Sequence, residues 1–359
     1  MSDMEFVIKK SVIESILVSL QHFLERKDAT QITSHISFEI DTPAVIKATD
    51  TEIGLSFTLD EIEIKKSGAF TANGKKLLDI VRILRDGDIL FTLKDGIVNI
   101  RQGKSNFKLP IFDPKEFPEF PSIENKPNIS IESQSLIKSF KKVTPVIDTN
   151  NPKHELNGAL INITAEKTDI VATDTRRLAV STIESPSSQE LELILPKKAI
   201  LEIQKLFLEQ INIYYDPKTL IIKDDNRLFF TRLINGKFPN YIRIIPQNPR
   251  YHITLPTKEM INSIKMVTTI SHDIKITFTP DMIIFKSLST DNIEAKTELV
   301  VANSIEERLE ISLNSRYLLD FLNQIESEKF IIGINNSTTP FVVEVEEENF
   351  ITVIMPIII

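Results

Sequence analysis

The chain contains no cysteine, and only nine of its 359 residues are glycine. Without a thiol there are no disulfides, thiolate metal sites or thiol nucleophiles, although the compartment is not thereby identified. So few glycines leave little material for a phosphate cradle, and no Gly-x-Ser-x-Gly elbow occurs. The best phosphate-loop candidate begins at Gly68, but five residues separate it from Gly74, and Lys76 stands where a hydroxyl is required. Asn73 and Gly74 read instead as a strand end followed by a helix start. The histidines, His22, His35, His154, His252 and His272, are scattered without a pair at metal-ligand spacing, so no metal, cofactor or catalytic residue is nominated. Carboxylates are plentiful, and a hidden acid pair is the one enzymatic reading that inspection leaves open.

Long apolar runs are missing too. None approaches the roughly 20 residues that a membrane helix needs. The N-terminus enters an alternating strand pattern at once and lacks the basic, apolar and small-residue blocks of a signal peptide, so a cytoplasmic location is expected. The net charge of -8 argues against a protein that coats itself in nucleic acid.

What is present is repetition. Asn73-Gly-Lys-Lys-Leu-Leu-Asp-Ile-Val-Arg-Ile-Leu is echoed by Pro196-Lys-Lys-Ala-Ile-Leu-Glu-Ile-Gln-Lys-Leu-Phe and by Asn314-Ser-Arg-Tyr-Leu-Leu-Asp-Phe-Leu-Asn-Gln-Ile. A period of about 120 residues is a whole domain rather than a solenoid unit. Proline-rich stretches at 110–127 and 239–256 fall where the repeat requires boundaries, which sets expected domains at 1–127, 128–250 and 251–359.

Each third follows one plan: a strand, a helix, several strands, a second helix and hairpins. The first helix is expected within 9–27, where Val12, Ile13, Ile16, Leu17, Leu20 and Leu24 form a helical stripe. Its counterparts are expected to start at the N-caps Ser133 and Thr257. Asp95-Gly96 is a favoured two-residue hairpin turn between β-branched runs. Further hairpins turn at Asp216-Pro217, at 224–226 and at the acidic run 346–349, which reads as a solvated tip.

Six helical windows (9–27, 73–86, 132–147, 196–209, 256–271 and 314–327) hold 17 Lys and Arg against 10 Asp and Glu. An acidic chain with basic helices separates its faces, so that one attracts a polyanion and the rest repels it. The plain helix preference for Lys and Arg explains the same count.

More specific are Leu156-Asn-Gly-Ala-Leu, Val171-Ala-Thr-Asp-Thr-Arg-Arg-Leu-Ala-Val, Gly236-Lys-Phe-Pro-Asn-Tyr-Ile-Arg-Ile-Ile-Pro and Val353-Ile-Met-Pro. In order and spacing these resemble the bacterial replicative sliding clamp, the β subunit of DNA polymerase III, along essentially the whole chain. The resemblance implies an α+β fold of three tandem clamp-type domains, each with two helices packed on antiparallel sheets. Two chains would form a head-to-tail ring with the helices lining its hole. Twelve helices about 9–10 Å apart trace roughly 115 Å, a diameter near 37 Å. Subtracting about 10 Å of helix thickness leaves an opening of about 27 Å, wide enough for hydrated duplex DNA. Attraction to phosphate would be weak and blind to sequence, and retention topological.

By the same resemblance, Lys10, Lys27, Arg82, Lys138, Lys141, Lys198 and Lys265 are the candidates to face DNA. Phe107 and Leu109 would meet Thr269 and Ile270 of the other chain. A groove with Leu156, Thr173, Leu178, Pro239, Ile244, Val353, Met355, Pro356 and Ile357 as an apolar floor would accept short Gln/Leu/Phe-type motifs, with Arg177 and Arg243 as its polar rim. The implied partners are the replicative polymerase, the clamp loader and repair proteins. Thr175 and Arg176 stand where Gly and His are common, and the tail lacks the penultimate Arg often seen. Two rivals remain: a peptide-binding adaptor that never encloses DNA, and an enzyme with an unrecognised carboxylate site.

Overall fold

The computed structural model describes residues 3–25, 28, 31–129, 131–207, 211–289, 293–302 and 305–358. It divides into two compact units, Met1–Ser130 with Gln210–Leu233, and Ile131–Glu209 with Ile234–Ile359. Among the described residues, six α-helices fall inside the six windows: α1 (Lys10–Leu20), α2 (Gly74–Ile83), α3 (Ser133–Val143), α4 (Lys197–Leu206), α5 (Thr257–Thr268) and α6 (Ser315–Leu322). Helix α1 buries Ile13, Ile16, Leu17 and Leu20, then tightens into a 3-10 turn over Gln21–Phe23. The first helix is therefore shorter than the 9–27 window.

Two cap expectations are corrected. Glu132, not Ser133, caps α3, its carboxylate accepting from the backbone N–H of Gln134 at 3.1 Å and of Ser135 at 2.6 Å. The Ser133 side chain is buried, which leaves the longer, exposed glutamate to reach the free donors. The Ser135 side chain, followed by these backbone N–H groups, holds the Glu132 carboxyl below its usual range. At α5 the cap position is Pro256, which offers no side-chain acceptor, and the Thr257 hydroxyl instead donates to the Ser327 carbonyl at 2.9 Å. Asn73 and Asn314 do cap the repeated helices α2 and α6, accepting from the N–H of Lys76 and Arg316.

The first unit holds a five-stranded antiparallel sheet in the order Glu63–Lys66, Met4–Lys9, Asp88–Lys94, Ile97–Gln102, Ser105–Pro110. Lys94 pairs with Ile97 across Asp95 and Gly96, both at positive φ, the conformation that makes Asp-Gly a tight hairpin turn. Phe6 stacks on Phe70 and Phe38 on Phe91, each with ring centroids 6.4 Å apart, so buried aromatic rings join this sheet to its neighbour.

That neighbour has eight strands and mixes two thirds of the chain. Gly68–Asn73, His35–Ile40, Ala44–Thr49 and Ile53–Leu59 come from the first third and continue into Arg227–Arg232, Thr219–Lys223, Asn212–Tyr215 and Asn128–Ile129. The second unit repeats the join. Leu191–Pro196, Gly158–Ile163, Thr168–Thr173 and Arg177–Ile183 meet Phe350–Ile354, Phe341–Val345, Lys329–Ile334 and Tyr251–Pro256. A four-stranded sheet, Leu309–Asn314, Asp273–Phe278, Met282–Ser287 and Lys296–Val300, completes this unit. Among the sheet edges are Ser105–Pro110, at one end of the five-stranded sheet of the first unit, and Lys296–Val300, at one end of the four-stranded sheet of the second.

The acidic hairpin tip is not wholly solvated. Glu346–Glu348 form a 3-10 turn, and Glu348 folds inward, its carboxylate 2.9 Å from the Lys142 ammonium. Both side chains are buried, and the N–H groups of Glu326 and Ser327 also donate to this carboxylate, which offsets its loss of water. Among the described residues no group of three His, Asp or Glu could hold a metal ion, and no helix is long and apolar enough to cross a membrane.

Candidate functional site

The second unit contains a cavity of about 220 Å³ lined by Lys153, Leu156, Thr173, Thr175, Arg177, Leu178, Pro239, Ile244, Val353 and Met355. Its floor follows from strand register. Leu178 pairs with Thr173 on one side and Val353 on the other, and Leu156 packs beneath them. Leu160, Val171, Val180, Ile194 and Phe238 continue that cluster into the core, so the floor is backed by close-packed side chains.

One wall is the turn 174–176. The Thr173 hydroxyl donates to the Arg177 carbonyl at 2.7 Å and accepts from the Thr175 N–H at 3.1 Å. Asp174 Oδ1 accepts from the N–H of Arg176 and of Arg177, each at 2.9 Å. These bonds hold Thr175 at φ 74°, a left-handed conformation that a β-branched residue adopts only under constraint. Past Ile354 the chain still tracks this turn, the Met355 N–H donating to the Arg176 carbonyl at 2.9 Å, which sets Met355 at the mouth.

The opposite wall is 239–244, anchored by Tyr241. Its hydroxyl donates to Asp169 Oδ2 at 2.7 Å and accepts from Asn162 Nδ2 at 2.8 Å. Burial, reinforced by the Asp169 carboxylate, pushes the Tyr241 hydroxyl well above the usual tyrosine range, so it remains a donor. Ile244 stays exposed at the rim.

Arg177 departs from its expected place. It is 8% exposed and is not a rim residue. Its Nε reaches Asp174 Oδ2 at 3.0 Å, Nη1 reaches Asp320 Oδ2 at 2.7 Å, and Nη2 donates to the Pro145 carbonyl at 2.9 Å. Its guanidinium also lies over the Tyr317 ring at 4.6 Å. A planar fork with its donors engaged supports a wall rather than reaching for a ligand. Arg243 is exposed and does not line the cavity; nor do Pro356 and Ile357, because the Ile357 N–H is bound to the Ser312 carbonyl. Sequence reasoning missed Lys153 at the mouth and the supports Tyr317, Asp320, Asp169 and Asn162. Tyr241 lay within the family-like motif and Tyr317 and Asp320 within the repeated helix, while Lys153, Asn162 and Asp169 carried no signal.

The cationic candidates are dispersed. Lys10 is tied to Glu14 at 3.6 Å and donates to the Arg82 carbonyl, while Lys138 pairs with Glu326 at 3.2 Å. Lys138 and Lys141, on α3, line a cavity of about 500 Å³ with residues 323–326, which follow α6. Arg82 is exposed on α2, and Lys198 and Lys265 on α4 and α5; Lys27 lies outside the described residues. Phe107, on the edge strand Ser105–Pro110, is half-buried, while Thr269 and Ile270, at the C-terminal end of α5, are exposed, Ile270 by 40%. Leu109 is corrected: at 7% exposure it belongs to the core of its own unit, facing Val98 across the sheet.

Comparison with known proteins agrees with this architecture. The chain matches the N-terminal, central and C-terminal domains of the DNA polymerase III beta subunit over residues 4–121, 130–240 and 242–358. It is 36% identical over 351 residues to the beta sliding clamp of Helicobacter pylori, covering 95% of this chain and 94% of that protein. A crystal structure of the Helicobacter pylori beta clamp bound to a DNA ligase peptide superposes with a TM-score of 0.92 at 36% identity, over 99% of this chain and all of that one. The Bacillus subtilis DNA polymerase sliding clamp, at 22% identity and a TM-score of 0.94 over the whole of both chains, shares the fold. The chain belongs to the DNA polymerase III beta subunit family, the bacterial beta sliding clamps.

Proposed function

We propose that two copies of this chain close into a ring around duplex DNA and tether replication and repair proteins through the cavity above Leu178. The observation that carries the ring is the pair of unmatched half-sheets. Each eight-stranded sheet joins the early strands of one third to the late strands of the next. The late strands of the first third and the early strands of the last are left ending in Ser105–Pro110 and Lys296–Val300. Pairing each of those edges with the other kind on a second copy repeats the same join twice and closes a head-to-tail homodimer. Exposed strand edges are otherwise an aggregation liability. Phe107, Thr269 and Ile270 are the proposed contacts, with Leu109 supporting its strand from beneath.

On this reading the domains are 1–127, 128–250 and 251–359, and their basic helices face the DNA. Lys10, Lys27, Arg82, Lys138, Lys141, Lys198 and Lys265 attract phosphate across water, and the ring slides because no base is read. The cavity receives short extended motifs with Gln, Leu and Phe anchors from the replicative polymerase, the clamp loader and repair proteins. A ligase peptide bound to the Helicobacter pylori clamp supports that use. Apolar sockets supply most of the energy, and the flexible Met355 adapts to different guests. The protein acts in the cytoplasm as a processivity factor, with no cofactor or chemical step of its own.

The test is retention on DNA. Phe107→Asp combined with Ile270→Asp puts like charges on the two proposed contact surfaces. The variant is expected to leave closed circular DNA as fast as linear DNA while holding peptide normally. Retention on circles equal to that of the unaltered chain would overturn the ring and leave a peptide-binding adaptor.

A further inference from the structure

The walls of the peptide cavity exist twice. Ala172-Thr-Asp-Thr175 repeats Ala48-Thr-Asp-Thr51, and the hydrogen bonds repeat with it. The Thr49 hydroxyl donates to the Ile53 carbonyl at 2.8 Å and accepts from the Thr51 N–H at 2.9 Å. Asp50 Oδ1 accepts from the N–H of Glu52 and Ile53, and Thr51 sits at φ 78°, beside 74° for Thr175. The strand that follows is placed alike, the Arg232 N–H donating to the Glu52 carbonyl at 2.8 Å as that of Met355 does to Arg176. The second wall recurs as well: Phe238-Pro-Asn-Tyr241 corresponds to Phe117-Pro-Glu-Phe120.

The floor differs. Where the second unit pairs Leu178 with Val353, the first pairs Gly54 with Phe230. A Cβ on Gly54 would overlap the Phe230 ring and come within 2.9 Å of Phe120. Phe230 is 5% exposed and packs edge-on against Phe120, with ring centroids 4.9 Å apart. The aromatic ring therefore fills the space over the floor, and it can do so because residue 54 has no side chain.

We propose that the first unit contains a second copy of the peptide cleft, kept shut by this chain's own Phe230, and that shortening this side chain opens a site for an apolar anchor of an extended peptide. The plug takes the place that a partner's leucine or phenylalanine takes in the second unit, so each native chain offers one such cleft. This inference rests on the reading of the Leu178 cavity as a peptide site.

The experiment uses the full chain with Phe230→Val, which installs the second unit's own floor residue, and Phe230→Leu as a milder form. Calorimetry with a short peptide carrying Gln, Leu and Phe anchors is expected to give one site per chain for the unaltered protein and two for Phe230→Val. The reciprocal variant, Leu178→Gly with Val353→Phe, is expected to reduce one site to none in a chain that remains folded by circular dichroism. A folded Phe230→Val and Phe230→Leu pair that both stay at one site overturns the proposal. If the unaltered chain binds no peptide, the peptide reading itself fails, and fluorobenzene then decides by 19F NMR. One more fluorobenzene site in Phe230→Val than in the unaltered chain upholds the plug, and equal numbers overturn it.

Discussion

Arg177 Nη1 lies 2.7 Å from Asp320 Oδ2 while its Nε lies 3.0 Å from Asp174 Oδ2, so one buried guanidinium joins the cavity turn to α6. The same side chain donates to the Pro145 carbonyl just beyond α3, and Lys197 donates from the start of α4 to the neighbouring Ile147 carbonyl. Burial, followed by repulsion from Arg177, holds the Lys197 ammonium below the usual lysine range. The cavity is therefore braced by α6, by the turn after α3 and by the start of α4.

Arg177→Met removes that brace and leaves Asp174 and Asp320 without their cation. Because Arg177 is buried, the expected loss is about 3 kcal/mol of stability, with a matching fall in the denaturant midpoint. Asp320→Asn is expected to cost under about 1 kcal/mol, since the Asp320 side chain is 38% exposed and water screens the pair. Peptide affinity should drop in Arg177→Met, and equal stability losses in the two variants would contradict the asymmetric burial.

The Lys142–Glu348 pair predicts an acid limb in the stability profile. Burial pushes the Glu348 carboxyl up, but the Lys142 ammonium and the N–H groups of Glu326 and Ser327 outweigh it and leave the carboxyl below its usual range. A carboxyl depressed in the folded state adds stability that is fully present above its unfolded value, about 4.3, and is lost as pH falls through the lower folded value. Glu348→Gln is expected to be less stable than the unaltered chain at pH 7 and to show a shallower decline between pH 4.5 and its acid midpoint. Parallel acid limbs in chemical denaturation would count against this assignment.

At Thr175, glycine relieves the left-handed backbone. Thr175→Gly is expected to raise stability by up to about 1 kcal/mol, the cost of a β-branched residue in that region less the added freedom of glycine when unfolded. It also enlarges the mouth of the cavity, and peptide dissociation rates, read by surface plasmon resonance, should change. A lower melting temperature would mean that the Thr175 side chain makes up for its strain.

Tyr241→Phe deletes the hydroxyl between Asp169 and Asn162. Asp169 retains the Thr182 hydroxyl at 2.6 Å, so the expected cost is about 1–3 kcal/mol rather than collapse. The 239–244 wall loosens with it, and hydrogen exchange at Ile242 and Arg243 should accelerate. Unchanged exchange there would show that Phe238 alone holds the wall.

Much of this was legible locally. The Asp95-Gly96 turn and the six helices depend on neighbours within a few residues, and sequence carries such information directly. Where side chains compete for one donor, local rules failed: Glu132 out-reached Ser133 for the first turn of α3, and Ser327 drew the Thr257 hydroxyl away from α5. Arg177 and Glu348 looked like surface charges because their partners, Asp320 and Lys142, lie more than a hundred residues away in the chain. Leu109 was expected at the contact from the family resemblance alone, yet strand alternation turns its side chain inward.

By itself the sequence determined the threefold repeat, the positions of helices and hairpins, the apolar floor at Leu178 and the family resemblance, because each rests on periodicity, turn chemistry or a contiguous motif. Only the tertiary structure decided that each eight-stranded sheet takes its halves from successive thirds, that Arg177 supports the cavity instead of rimming it, and that Phe230 occupies the space Gly54 vacates. The physical reason is common to all three. Strand partners, buried charge pairs and close packing are chosen by proximity across the folded chain, which no local pattern of residues records.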